Sequence, residues 1–352
     1  MSGMKSEEHR LTVRCRLVLL VALSVLSLAV SSGRQSEFAA KPPDAPEQWK
    51  SLIGIYSSPR DTVYVAERDR SLFLVTKNST YAKLTDVGRG VYRFTPDRLF
   101  NDSSLVFQWE GNLCSSGLMI GGVVFHRMMF GNENGVSFRI KALKPAAELR
   151  QIALASTPPT EQGNFLKPDF VDLSKLDETI KFDIRYATTN NFLGEKFYTQ
   201  AKAFLQRPAA EAFLRAHQWL ERYGYGLLIH DAYRPWYVTK MFWDATPDDK
   251  KIFVANPAEG SRHNRGCAVD LTLYDLQTGK QVEMTGGYDE MSGRSYPGFP
   301  GGTSLQRWLR DLLREALSRQ GFAVYDYEWW HFDFKDWQKY PIGTKTFEEI
   351  SR

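Results

Sequence analysis

The hydrophobic pattern of this chain changes once along its length, near residue 155. Before that point, short apolar runs alternate with polar residues and are separated by turn residues, as in 62–65, 72–75 and 105–109. Alternation of apolar and polar residues is typical of β-strands. No segment before residue 155 has apolar residues at helical spacing over a length that would predict a helix instead. After that point, helix-period and strand-period segments are mixed. We therefore expect an all-β unit followed by an α+β unit.

The length of 352 residues also favours two folded units. We predict a small all-β sandwich or barrel domain over residues 51–150. A linker follows over 151–165, where prolines and polar residues cluster. The second domain, over 166–352, should have a mixed or antiparallel sheet with flanking helices, because its elements show no regular βαβ order.

The N-terminus has the pattern of an export signal. The run Leu17 to Val30 holds 14 apolar or small residues behind a basic start, which is short for a bilayer span but typical of a signal-peptide core. We predict a signal peptide over 1–31, a polar linker over 32–50, and an exported protein, periplasmic or secreted, with no stable membrane anchor after leader removal. An uncleaved anchor is the alternative. No cysteine follows the run, since Cys15 precedes it, so lipid attachment is not expected.

Charge and cysteine content exclude two classes of protein. The 45 basic and 41 acidic residues give a net charge of +4, and the leader supplies half of it, so we exclude nucleic acid as a partner. Beyond the leader only Cys114 and Cys267 remain, which excludes a disulfide framework. One bridge between them stays open, although a small buried role is favoured for Cys267.

Two short stretches of the second domain hold the side chains that carry chemistry. They contain His263, Asp270 and His331, with Glu328 three residues before the last of these. Zinc binds imidazole nitrogen and carboxylate oxygen, and a catalytic zinc site has three protein ligands and an open fourth position. A spare carboxylate beside such a site can act on water. The set therefore indicates a catalytic zinc site.

Each of these residues has a second interpretation when taken alone. Asp270 lies opposite the apolar face of its strand, where a desolvated carboxylate needs a partner, and Arg265 is the alternative to a metal. His263 alone is compatible with an ordinary loop histidine. Glu328 and His331 would point to opposite faces of a regular strand. Their cooperation requires a twist or bulge, or an approach of Glu328 from the side.

An arginine lies at the end of a predicted buried strand, a common place for functional side chains. Arg234 has three open roles: a salt bridge to Asp231, stabilisation of an oxyanion, or a bidentate clamp on a substrate carboxylate. Two further histidines lie outside the two stretches that hold the candidate ligands. His126 and His217 are expected to pack or to face solvent rather than to bind metal.

Four blocks of the second domain together resemble a known family. They are Asp183–Phe192 (DIRYATTNNF), Asp231–Pro235 (DAYRP), Ser261–Tyr274 (SRHNRGCAVDLTLY) and Glu328–His331 (EWWH). In these blocks and their order, residues 170–340 resemble the zinc D-alanyl-D-alanine dipeptidases, the VanX-type family related to zinc D,D-carboxypeptidases. The resemblance implies an α+β zinc peptidase domain.

The resemblance also implies the roles of the site residues. One Zn2+ per chain would be held by His263, Asp270 and His331, with Glu328 as general base and acid and Arg234 as the stabiliser of the transition state. Three further residues would lie near the bound dipeptide: Tyr186, Ser261 and Asp289. The family usually has a small residue where Cys267 stands here, which raises the question of whether this thiol competes for the metal.

The implied reaction is hydrolysis of the small dipeptide D-alanyl-D-alanine to free D-alanine, in cell-wall peptide turnover. One alternative is a D,D-carboxypeptidase that acts on longer peptidoglycan stem peptides, and residues 275–302 should decide this if they cover the site. The other alternative is a non-catalytic, zinc-containing module that binds peptidoglycan. The presence of Glu328 beside the ligand set argues against that module, because a structural zinc site needs no spare base.

Overall fold

The computed structural model describes most of the chain after the predicted leader. The described residues are 38–78, 80–96, 102–111, 114–131 and 136–352. The predicted signal peptide, 1–31, lies outside them. Within these ranges, no helix combines the length and the apolar character needed to cross a membrane. Residues 40–352 form one compact unit.

Nine of the strands in the described ranges form the first sheet. They are β1 (Gly54–Ser57), β2 (Thr62–Arg68), β3 (Ser71–Thr76), β4 (Tyr81–Lys83), β5 (Thr85–Gly88), β6 (Val91–Arg93), β7 (Ser104–Trp109), β8 (Ser115–Ile120) and β9 (Val123–Arg127). All neighbours are antiparallel, in the order β4-β3-β2-β1-β9-β8-β7-β6-β5. Only Leu84 separates the two edge strands β4 and β5, so the sheet is nearly closed.

Alternating apolar residues explain why this sheet curls around a core. Val63 and Val65 of β2, Leu105 of β7 and Leu118 of β8 are all fully buried. Their inward positions follow from the period of two along each strand. The prediction of an all-β unit is confirmed, in the form of one nearly closed sheet.

The rest of the chain mixes strands and helices. The strands are β10 (Phe170–Asp172), β11 (Lys181–Phe182), β12 (Phe204–Gln206), β13 (Tyr225–Asp231), β14 (Ala268–Asp275), β15 (Phe322–Tyr325) and β16 (Glu328–Phe334). The helices are α1 (Glu47–Lys50), α2 (Ala146–Ala155), α3 (Arg207–Glu221), α4 (Trp236–Ala245), α5 (Ser304–Ser318) and α6 (Phe347–Ile350).

A five-stranded mixed sheet forms the centre of this second region. Its order is β11-β13-β14-β16-β15, and only the β11–β13 pair is parallel. Helices α3 and α5 pack on each other and on this sheet. In α5, apolar residues recur at helical spacing and are buried, including Leu309, Leu312 and Leu313. A capping box formed by Thr303 and Gln306 begins this helix.

Several boundaries differ from the sequence-based expectation. The apolar run of residues 322–334 suggests one strand, but the structure has two strands there, β15 and β16, joined by a turn. The helical pattern of residues 202–223 predicts a helix that opens near Pro208, and α3 begins at Arg207, directly after residues 204–206, which pair with β10 as β12. Helix α1 lies within the segment predicted as a linker over 32–50, and the second half of α2 lies within the one predicted over 151–165.

The two cysteines outside the leader do not form a bridge. Cys114 is exposed and Cys267 is buried, and both are free. The disulfide left open by the sequence is therefore absent from the structure.

Candidate metal centre and active site

Strands β14 and β16 of the second sheet, together with the turn that precedes β14, bring His263, Asp270 and His331 together. The register pairs Asp231 of β13 with Asp270 of β14, and Asp270 with His331 of β16. His263 precedes β14 in a short 3-10 turn, and Gly266 at φ 66° lets that turn enter the strand. The sheet thus places His263, Asp270 and His331 side by side.

Three atoms of these residues converge on one point. His263 Nε2 and His331 Nδ1 lie 3.1 Å apart, and they lie 3.3 and 3.1 Å from Asp270 Oδ1. Tetrahedral ligands at about 2.0–2.1 Å from Zn2+ are separated by about 3.3 Å, so the spacing fits this ion. All three residues are buried, at 2, 2 and 8% exposure.

The atoms that face away from this point are held by hydrogen bonds. His263 Nδ1 lies 2.6 Å from the carbonyl of Ala232, and His331 Nε2 lies 2.9 Å from Asp333 Oδ1. Both outward partners are acceptors, so a neutral imidazole at either position would donate its proton outward and turn a lone pair inward. Tyr288 donates to Asp270 Oδ2 at 3.0 Å, whereas no aligned donor among the described residues reaches the buried Asp270 Oδ1. Oxygen and nitrogen acceptors without protons are what a metal ion requires.

Burial and neighbouring charges shift the pKa values of Asp270 and His331 in opposite directions. Burial would raise the pKa of Asp270, but the imidazoles of His263 and His331 hold that pKa well below its usual range. Burial would lower the pKa of His331, but Asp333 and Asp270 raise it. The centre therefore favours a positive charge between these side chains, which a metal ion supplies.

Glu328 reaches the same point because its strand is irregular. The register between β15 and β16 shifts there, since Val324 pairs with Phe332 but Tyr325 pairs with Glu328. The shift places Glu328 Oε2 3.7 Å from His331 Nδ1. Burial raises the pKa of Glu328 to about 7, although His331 opposes this. A bulge thus resolves the strand-parity conflict that the sequence raised.

Arg234 follows β13 and is fixed by charge and by aromatic rings. Its Nε donates to Asp231 Oδ2 at 2.9 Å, and its Nη2 lies 2.8 Å from the same oxygen and 3.7 Å from Asp270 Oδ2. The guanidinium also lies over the rings of Tyr186 and Phe242. Burial would lower the pKa of Arg234, but Asp231 and the other nearby acids keep it above its usual value. Arg234 is therefore a fixed cation beside the metal centre.

The three residues expected near a dipeptide lie on the wall of the same cavity. Tyr186 donates to both carboxylate oxygens of Asp289 at 3.0 Å. Burial, together with Asp270 and Glu328, raises the pKa of Asp289 well above its usual value. Ser261 Oγ accepts from the backbone N–H of His263 at 3.2 Å, which leaves its own proton able to donate. The cavity measures about 340 Å³.

All the site residues predicted from the sequence therefore line one cavity: Tyr186, Arg234, Ser261, His263, Asp270, Asp289, Glu328 and His331. Two anchoring residues, Tyr288 and Asp333, were not predicted. The period of two places Asp333 on the face of His331, so this residue had a detectable signal. Tyr288 had none, since its partner Asp270 is distant in sequence.

Cys267 is not among the residues that converge on the candidate metal centre. Its side chain is buried, and burial raises the pKa of the thiol to about 12. A neutral thiol is a poor metal ligand. The structure therefore gives no support to competition between Cys267 and the three ligands.

A second acidic cluster with a histidine is already satisfied by hydrogen bonds. It consists of Asp177, His217 and Glu221. His217 Nδ1 accepts from the N–H of Leu227 at 3.1 Å, so Nε2 carries the proton of the neutral ring and faces Thr179 Oγ1 at 2.8 Å. Burial lowers the pKa of His217, which keeps the ring neutral. His217 is a packed helix residue, as expected.

Comparison with known proteins gives a consistent result for the second region. Residues 167–349 match the peptidase M15 family model, described as D-ala-D-ala dipeptidase. The D-alanyl-D-alanine dipeptidase of Escherichia coli (strain K12) is 34% identical over 179 residues, which cover 51% of this chain and 91% of that protein. The enzyme of the same name from Enterococcus faecium is 33% identical over 190 residues, covering 49% and 94%. The first sheet lies outside the family match.

One solved structure shows a weaker likeness. The structure of the LdcB LD-carboxypeptidase is 16% identical in sequence and has a TM-score of 0.27, covering 53% of this chain and 71% of that one. This likeness is too low to bear on fold or function.

Proposed function

The chain belongs to the peptidase M15 family of D-alanyl-D-alanine dipeptidases, and we propose that it hydrolyses D-alanyl-D-alanine with one Zn2+ held by His263, Asp270 and His331. The convergence of three ligand atoms within 3.3 Å of one another, beside a spare carboxylate and a buried arginine, carries this proposal. Family membership supports it, because M15 peptidases are zinc-dependent.

The residues around this centre divide the chemical work. Zn2+ at this position supplies Lewis-acid polarisation and lowers the pKa of water. Glu328 takes the proton from the attacking water and returns it to the leaving amine. A pKa of about 7 suits both transfers, because the carboxyl can accept and release a proton near neutral pH. Arg234 donates to the oxygen on which negative charge develops.

The substrate ends are assigned by charge. Asp289 is a buried carboxylate whose ionised form an ammonium group would stabilise, so we assign it, with Tyr186, to the ammonium group of the dipeptide. Ser261 has a hydroxyl proton available for the carboxylate end. The cavity of about 340 Å³ lies near the lower limit for small-molecule sites, about 300–1,000 Å³. These features support a dipeptide over a longer chain.

The wall of the cavity bears on the carboxypeptidase alternative. Asp289, Glu290 and Met291 belong to the segment 275–302 and line the cavity beside the metal ligands. A wall at this position limits the length of peptide beyond the ammonium group. This observation supports dipeptidase activity rather than trimming of longer stem peptides.

The deciding experiment measures zinc content and D-alanine release with purified mature protein. D-alanyl-D-alanine and a wall pentapeptide are supplied separately, and we expect one Zn2+ per chain and cleavage of the dipeptide alone. Cleavage of the pentapeptide would move the protein to the carboxypeptidase class. Bound zinc without hydrolysis of either peptide would favour the binding module.

We also propose that the protein is exported and acts in cell-wall peptide turnover. The support is the apolar run Leu17 to Val30 behind a basic start. N-terminal sequencing of protein recovered from the extracytoplasmic fraction should find a start near residue 32. Recovery of the intact leader in the cytoplasm would contradict the proposal.

A further inference from the structure

Two residues of the candidate site lie on one irregular segment, residues 286–303, here named the site loop. Tyr288 donates to Asp270 Oδ2 at 3.0 Å, and Asp289 accepts from Tyr186. Asp289 also has a left-handed backbone, with φ at 58°. Non-glycine residues rarely adopt this conformation, so neighbouring contacts must hold it. The geometry of the site therefore depends on what fixes the site loop.

A compact set of polar contacts within the site loop begins next to Asp289. The carboxylate of Glu290 is buried and accepts from the backbone N–H of Gly287 at 2.9 Å. Arg294 donates to the same carboxylate through Nε at 2.7 Å and Nη2 at 2.5 Å. Movement of Arg294 would thus be passed through Glu290 to the adjacent Asp289.

The first sheet touches this set from outside the family domain. Phe130, which follows β9, lies under the guanidinium of Arg294, with 4.3 Å from Cζ to the ring centroid. Farther along the loop, the ring of Tyr64 on β2 meets Phe299 edge-on at 5.4 Å. A cation–π contact and an aromatic pair thus join the sheet to the site loop at two points.

A third contact joins the sheet to the end of the site loop. The backbone N–H of Glu67 on β2 donates to the carbonyl of Gly302 at 3.1 Å. Its carboxylate accepts from the N–H of Ser304 at 2.6 Å, and its carbonyl accepts from Arg307 at 2.7 Å. Glu67 is only 2% exposed. The sheet therefore fixes both the end of the loop and the first turn of α5.

We propose that the first sheet is an internal brace for the active site. It holds the site loop in the conformation that presents Asp289 to the substrate ammonium and Tyr288 to Asp270. The first sheet can support the site loop in this way without binding a ligand itself. The inference rests on the proposed function, since it assigns the binding of the dipeptide to a loop that the first sheet supports.

The test removes single brace contacts from the full-length protein. Phe130→Ala and Tyr64→Ala are compared with Trp109→Ala, which removes an aromatic ring that is 45% exposed at the end of β7. Hydrogen–deuterium exchange of the site loop and steady-state hydrolysis of D-alanyl-D-alanine are measured on each variant. Phe130→Tyr keeps a ring under Arg294 and serves as the conservative variant.

We expect faster exchange in the site loop of Phe130→Ala and a KM about two- to tenfold higher, the size of one cation–π contact, with kcat little changed. Phe130→Tyr should restore both values, and Trp109→Ala should leave both unchanged. Unchanged exchange and KM in both brace variants would overturn the proposal. If the wild-type protein fails to cleave the dipeptide, the proposed function fails, while the exchange experiment still tests the brace.

Discussion

The two sheets of this molecule bury their central strands in different ways. The first sheet encloses side chains such as Leu105 and Leu118, which are fully buried and apolar. In the second sheet, the three central strands carry Asp231, Asp270 and His331 side by side, also almost fully buried. Burial of charge costs free energy unless it is paired, so the second arrangement needs a compensating role.

The contrast separates packing from chemistry. Proteins depart from local folding rules mainly at functional sites, and here the buried charges that surround the candidate metal position belong to the second sheet. Changes in the second sheet should therefore act on turnover, metal affinity or pH dependence. Changes in the core of the first sheet, away from its brace contacts, should act on the free energy of unfolding alone. The experiments below test this separation.

The largest effect is expected at Glu328. Glu328→Gln keeps the shape of the side chain but cannot accept a proton, so we expect kcat to fall by about 10²–10⁴. Zinc content should remain at one ion per chain, because the three ligands are untouched. Steady-state kinetics and metal analysis on the same preparation check both points. Near-normal turnover would remove Glu328 from the role of base.

In the core of the first sheet, a substitution should lower stability and leave turnover unchanged. Leu105→Ala removes a fully buried side chain, so the free energy of unfolding should fall by about 2–5 kcal/mol. Urea denaturation measures this loss. The kcat and zinc affinity of the folded protein should match the wild type, and a selective fall in kcat would break the separation between the two sheets.

The buried His230 of the second sheet should make the free energy of unfolding depend on pH. This histidine is fully buried on β13, and burial, with Arg185, lowers its pKa from 6.5 to about 4. Because the folded pKa lies below the unfolded one, the stabilising contribution is present above pH 6.5 and is lost as pH falls toward about 4. The difference of about 2.5 pKa units corresponds to about 3 kcal/mol.

The variant His230→Phe keeps a ring beside Tyr288 and removes the titration. We expect its free energy of unfolding to vary less with pH between 6.5 and 4 than that of the wild type. Both proteins are unfolded in urea after metal removal, so that loss of zinc at low pH does not contribute. Equal slopes for the two proteins would show that His230 does not titrate as described.

The sequence predicted what depends on local pattern and on residue type. The alternating runs between 51 and 150 indicated an all-β unit, and the helical spacing of apolar residues over 305–317 is enough to indicate α5. The ligand types at 263, 270 and 331 indicated a zinc site because few other arrangements use them together. These features are encoded within short segments.

What the sequence could not show depends on contacts between distant segments. The bulge that brings Glu328 to His331 comes from the pairing of β15 with β16, and a local period cannot reveal it. The anchoring of Asp270 by Tyr288 joins residues from different elements. The hydrogen bond from the Glu67 N–H to the carbonyl of Gly302 in the site loop joins two regions more than 200 residues apart.

The smallest effect is expected at Asp333. A change there tests whether a single hydrogen bond in the second sheet contributes to metal affinity. Asp333 Oδ1 accepts from His331 Nε2 at 2.9 Å, which fixes the tautomer whose Nδ1 faces the metal position. Asp333→Asn weakens this bond without removing a ligand, so zinc affinity should fall by about 10–100-fold. Asp336→Asn is the matched control, because Asp336 pairs with Lys339 at 2.9 Å instead. Competition with a chelator measures both affinities. Equal affinities in the two variants would mean that the ligands alone determine metal binding, and that the buried charges around them serve the fold.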